Sequence, residues 1–166
     1  MHVSPLPKYR GPYPVIFQLL HKEEKIGVTI HKMDKTYDSG DMFIQDYVNV
    51  DYEKLLYLEV SIFRVVKRNM IKLIIAYLSG ELILTPQLEE GVSYYSKNDL
   101  IKCLNHNTNL KDFIWMYEIF KIYKPFKVLI DNDVWIVDSY SHTPKEDYIE
   151  YILKDSIIYL KLTHIV

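Results

Sequence analysis

The chain has 166 residues, 49% hydrophobic and 25% charged, a balance that suits a soluble globular protein with a sizeable core. Its 20 Lys and Arg against 22 Asp and Glu leave a net charge of −2, which supplies no basic field for a nucleic acid. The single cysteine, Cys103, excludes an internal disulfide and gives no argument for secretion.

The first stretch, His2-Val-Ser-Pro-Leu-Pro-Lys-Tyr-Arg-Gly-Pro-Tyr-Pro14, cannot be regular structure. Each proline removes a backbone donor, fixes φ and pushes its predecessor towards extended backbone. Such a loop is stiff, and stiff loops carry binding groups. Lys8 and Arg10 follow prolines rather than an apolar run, so no signal peptide is read and the cytoplasm is the expected compartment. Residues 15–21 read as a short helix that packs Ile16 and Leu19 or Leu20 under the loop. Ile26, Val28, Thr29 and Ile30 are β-branched and predict a buried strand over 26–32. Asp38-Ser39-Gly40 breaks it as a turn, and a second strand follows over 42–48.

Asp51 is placed to cap a helix over 52–79, in which Leu55, Leu58, Ile62, Val65, Leu73 and Tyr77 recur at helical spacing. Gly80 ends it, and Arg64, Lys67 and Arg68 exclude a membrane span. A short strand is expected over 81–85, stopped by Pro86, then a turn at Glu89-Glu90-Gly91 and an extended stretch to Tyr95. The adjacent Tyr94 and Tyr95 read as packing residues. Helices are expected over 99–104 and 110–123. Beyond Pro125, apolar runs at 126–130 and 134–137 flank Asp131-Asn132-Asp133, and runs at 148–153 and 157–162 flank Lys154-Asp155-Ser156. Both read as hairpins, with Asn and Asp in the turns because no glycine follows Gly91.

The residues from His2 to Gly40 resemble the folate-dependent formyltransferases, the family of methionyl-tRNA, glycinamide ribonucleotide and sugar N-formyltransferases. Its signature, Asn-x-His-x-Ser-x-Leu-Pro-x-x-Arg-Gly, then Gly-Val-Thr-x-His and Asp-x-Gly, is met in order and spacing. His2, Ser4, Leu6-Pro7, Arg10-Gly11, Gly27-Val28-Thr29 with His31, and Asp38-Ser39-Gly40 carry it. The family's Asn would fall ahead of Met1, as would the nucleotide-fold half that precedes it. The resemblance therefore implies an α/β fold. Residues 1–96 would be the C-terminal half of a Rossmann-like catalytic domain, 97–125 a helical connector and 126–166 a small antiparallel β subdomain.

By resemblance, His2 and Asp38 are the catalytic pair: the His as general acid or oxyanion partner, the Asp orienting it and moving a proton from the attacking amine. Ser4, Leu6, Arg10 and Gly11 correspond to the acceptor-side loop, where Arg10 either meets a phosphate or stands as a solvated charge. His31, Met33, Asp34 and Tyr37 fall on the folate side, and His31 reads equally well as a core histidine. The formyl donor would be 10-formyltetrahydrofolate and the acceptor an amine. The short tail and the net charge of −2 favour a nucleotide-linked amino sugar, with methionyl-tRNA as the alternative. A reading of another class is a non-catalytic fragment or split half that needs a nucleotide-fold partner and leaves a strand edge unpaired. No metal is expected, since His, Asp and Cys do not recur at ligand spacing.

Overall fold

A computed structural model describes residues 1–101 and 104–165, so Lys102 and Cys103, inside the helix expected over 99–104, lie outside the described residues. Two compact units divide the chain, Met1–Tyr95 and Ser96–Val166.

The first unit is built on an antiparallel pair, β1 (Lys25–His31) and β2 (Met42–Asn49). The β-branched run fixes β1 as a strand buried on both faces: Ile26 and Val28 are fully buried, and so is Thr29 on the opposite face. The outer edge of each strand carries one isolated bridge. His2 pairs with Thr29 on the outer side of β1, and Thr85 with Met42 on the outer side of β2. Apart from that bridge, residues 81–85 form no strand, and Ile83 lies exposed. Pro86, which has no N–H, ends the pairing after one residue.

Helix α1 (Pro14–Leu20) follows the proline loop, with a proline at its first position and Ile16, Phe17, Gln18 and Leu19 buried. The long helix starts later than its periodicity predicts. Asp51 accepts the Glu53 N–H at 3.1 Å in a local turn, a 3₁₀ turn spans Leu55–Tyr57, and α2 runs Leu58–Ser79 without a side-chain cap. Asp51 spends its carboxylate before the helix begins. Gly80 ends α2 at φ 74°, as a left-handed C-terminal stop.

Against β1 and β2, α2 buries Leu58, Ile62 and Asn69. Its other side is apolar and uncovered: Phe63, Ile71, Ile74, Ile75 and Leu78 are each at least 50% exposed, and Tyr77, expected on the buried stripe, is 71% exposed. A contiguous face of this kind marks an interaction surface. We expect the isolated chain to self-associate through it, and the double substitution Ile71→Lys, Ile75→Lys to shift sedimentation to the monomer with helicity retained. A wild-type chain that sediments as a stable monomer would refute this.

In the second unit, α3 (Lys97–Ile101) precedes α4 (Leu110–Tyr123), which Asn109 caps by accepting the Asp112 N–H at 2.8 Å. Four strands follow, β3 (Lys127–Ile130), β4 (Asp133–Ser141), β5 (Ile149–Ile152) and β6 (Ile157–His164), in the antiparallel order β3-β4-β6-β5. Asp131 and Asn132 turn the first hairpin at φ 51° and 69°, the positive pair that a two-residue turn demands. Phe113, Ile119 and Phe120 of α4 are buried, and Phe120 stacks on Phe126 at 4.8 Å.

Candidate active site

Thr29 assembles the site. Its backbone exchanges two hydrogen bonds of 2.8 Å with His2, which seats the histidine on the edge of β1. Its hydroxyl donates to the Ser4 carbonyl at 2.7 Å and accepts the Leu6 N–H at 3.3 Å, so the loop is tied to the strand by one buried side chain. Pro5 lies directly on Gly27, where any Cβ would collide with proline backbone. Ser4 is fully buried with its hydroxyl given to the Lys8 carbonyl at 2.8 Å, and Leu6 is buried beside it. Neither side chain reaches the surface; both shape the loop from inside.

Further along, Tyr9 holds the loop to the 92–95 stretch. Its N–H donates to Ser93 Oγ at 2.8 Å, its ring stacks on Tyr95, and its hydroxyl donates to Glu23 at 2.7 Å. Burial, then the bond to Glu23, holds the Tyr9 phenol well above its usual range. Tyr95 also stacks on Phe17 at 4.4 Å, as its reading as a packing residue anticipates. Tyr94 stays half exposed.

Asp38 stands at φ 54°, a left-handed conformation that Asp tolerates better than most residues. Gln87 fixes the turn by donating at 2.8 Å to the carbonyls of both Asp38 and Gly40. Arg10 in turn donates to Gln87 Oε1 at 2.7 Å, so it is tied into the turn rather than left as a solvated charge. The Asp38 carboxylate points back at the loop: Oδ2 accepts the Gly11 N–H at 3.0 Å, while Oδ1 lies 3.4 Å from His2 Nδ1 and 3.7 Å from His31 Nε2. His2 is 8% exposed, and burial pushes the His31 imidazole below its ordinary range.

Four residues named from the sequence thus fall in one place: His2, Gly11, His31 and Asp38 meet around one carboxylate. Arg10 reaches the same turn through Gln87, while Ser4 and Leu6 are bonded to Lys8 and Thr29 within the loop. Met33, Asp34 and Tyr37 do not join them. Met33 and Tyr37 are largely exposed on the loop before Asp38, and Asp34 is exposed with its carboxylate on the Lys35 N–H. The residues that sequence reasoning missed are the supports Thr29, Gln87 and Ser93.

Residues 1–57 match the family described as Formyl transferase. Over this first stretch the chain is similar to the formyltransferase family. The methionyl-tRNA formyltransferase of Clostridioides difficile (strain 630) is 49% identical over 51 residues, which cover 31% of this chain and 16% of that enzyme. Among solved structures, WlaRD, a sugar 3N-formyl transferase crystallised in the presence of dTDP and 5-N-formyl-THF, is 21% identical with a TM-score of 0.62. That match covers 99% of this chain and 65% of WlaRD. HypX from Aquifex aeolicus in complex with tetrahydrofolic acid is 14% identical with a TM-score of 0.64, over 96% of this chain and 30% of HypX. At such identities the likeness is one of fold. The chain spans 16% of that methionyl-tRNA formyltransferase, 65% of WlaRD and 30% of HypX, less than two thirds of each.

Proposed function

We propose that this chain carries the proton-handling and acceptor side of a formyltransferase that moves a formyl group from 10-formyltetrahydrofolate to an amine. The observation that carries the reading is the Asp38 carboxylate set between His2, His31 and the Gly11 N–H. Attack of an amine on a formyl carbon builds an oxyanion and a cationic nitrogen that must lose a proton. A buried imidazole beside a carboxylate serves both needs when the two are held rigidly, and here Thr29 and Gln87 hold them. On this reading His2 and Asp38 do the chemistry. Gly11 orients the carboxylate, Arg10 braces the turn through Gln87, and Ser4 and Leu6 shape the wall that the acceptor meets. His31 and the exposed 33–37 loop face the folate.

The acceptor favoured is the amine of a nucleotide-linked amino sugar, because a net charge of −2 offers little to an RNA backbone. The 49% identity to a methionyl-tRNA formyltransferase favours charged initiator tRNA as the second reading. We further propose that the bare face of α2 seats a nucleotide-fold half of the kind that the family places before its Asn-x-His motif. The test is a transfer assay with the chain alone and with such a half supplied in trans. Transfer to a dTDP-amino sugar only with both parts, and little to initiator tRNA, is expected. The reverse acceptor preference would move the assignment to tRNA, and no transfer to any amine would refute it.

A further inference from the structure

Hydrogen-bond chemistry fixes more about the Asp38 cluster than distance does. His2 Nε2 lies 2.8 Å from the Tyr9 carbonyl, and His31 Nδ1 lies 2.9 Å from the Lys32 carbonyl. A carbonyl only accepts, so each of those nitrogens carries a hydrogen, and the tautomers follow. A neutral His2 is then the Nε2–H form and a neutral His31 the Nδ1–H form. Each turns its remaining nitrogen, a lone pair, on the same carboxylate oxygen: His2 Nδ1 at 3.4 Å and His31 Nε2 at 3.7 Å from Asp38 Oδ1. The two rings stand edge to face at 86° with centroids 6.5 Å apart. Three acceptors converge with no donor among them. The other carboxylate oxygen already has its donor in the Gly11 N–H.

We infer that His31 is a positioning residue of this site: it and His2 flank Asp38 as two alternative seats for one proton, shared through the carboxylate. A proton on either imidazole supplies the donor that the three acceptors lack. The charged groups that bear on His31 are Asp38 from the turn, His2 from the first segment and the terminal amino group of Met1. The first favours a proton on the ring, the other two oppose it, and burial opposes it further.

The functional consequence rests on the formyl-transfer reading. As the amine nitrogen bonds to the formyl carbon, the carbonyl π pair moves to oxygen and the nitrogen becomes cationic. Its proton passes to an imidazole lone pair at this cluster. When the oxyanion pair returns and the bond from carbon to folate N10 breaks, N10 takes a proton back from the cluster. Donor and acceptor exchange one formyl group for one hydrogen, and the cluster ends as it began. A second imidazole lets the departing proton move off the nitrogen nearest the amine without leaving the site.

The test is nitrogen NMR of the histidine rings in the uniformly labelled full chain, followed across pH. The expected result is Nε2–H for His2 and Nδ1–H for His31 at alkaline pH, with both rings shifting together in the first protonation step. His31 found as Nε2–H at alkaline pH, or two rings that titrate independently, would overturn the inference. Two variants separate placement from proton holding. His31→Asn keeps a donor for the Lys32 carbonyl and removes the nitrogen facing Asp38, whereas His31→Gln puts an amide near that nitrogen's place. Neither is expected to keep the joint step, leaving His2 to titrate as a single site; a joint step that survives in both also overturns the inference. With the nucleotide-fold half added, His31→Asn should lower kcat and displace one limb of its pH profile with KM little changed. Absence of transfer by the wild type would refute the formyl-transfer reading and leave the tautomer result standing.

Discussion

Replacing Asp38 by Asn is expected to lower the turnover of the reconstituted enzyme about 10²–10⁴-fold, the usual worth of a positioned proton-transfer group. The substitution spares what holds the turn. Gln87 bonds to the backbone carbonyls of Asp38 and Gly40, not to the carboxylate, and Asn accepts φ 54° as readily as Asp. An amide oxygen can still accept the Gly11 N–H. What disappears is the charge and basicity at Oδ1, which faces both imidazoles. Asn would put there a neutral amide group, which takes no proton from the amine and does not favour an imidazolium. KM should move little, since the contacts to folate and acceptor are assigned to other residues. Steady-state kinetics beside circular dichroism checks this. Turnover left intact in a folded Asp38→Asn chain would reduce Asp38 to the turn former that its local sequence describes.

Much of the fold was legible because local chemistry and tertiary context agree. The β-branched run gives β1, Gly80 stops α2 and Asp131-Asn132 turns a hairpin, as their residue types require. Misreadings arose where one signal had two outlets. Asp51 could cap a helix or bond within its own turn, and it does the second, which delays α2. Residues 81–85 have a strand's composition but only one partner residue, Met42, beside Thr85. Apolar periodicity in 52–79 predicts one buried stripe; it cannot say that a second apolar face lies bare, because spacing does not distinguish covered from uncovered surface. The residues that gather on the Asp38 carboxylate were named from their motif, whereas Thr29 and Gln87 were not. Their roles depend on which carbonyls lie across a sheet edge or a turn, and no residue spacing records that.

Gly27→Ala is expected to damage the site through packing alone. No positive φ requires glycine here; the constraint is space. A Cβ at this position would stand 2.6 Å from Pro5 Cα and closer still to the Pro5 nitrogen, so the colliding atoms are backbone and cannot swing aside. Pro5 cannot retreat cheaply either. The residues on both sides of it, Ser4 and Leu6, are bonded to the same buried Thr29 hydroxyl. The loop must lift as a unit, and it carries His2 at one end and the Tyr9 carbonyl that receives His2 Nε2 further on. Overpacking of this kind costs about 1–3 kcal/mol in stability. A displacement near 1 Å of a catalytic group can cost about 10²-fold in rate. Gly80→Ala is the control. Nothing lies within 4 Å of a Cβ there, and the penalty of φ 74° is about 1–2 kcal/mol with the loop untouched. The two substitutions should therefore lower the chemical-denaturation midpoint by similar amounts, while only Gly27→Ala lowers formyl transfer and shifts the His2 ring resonances. Equal transfer by both would show that the loop tolerates displacement from β1.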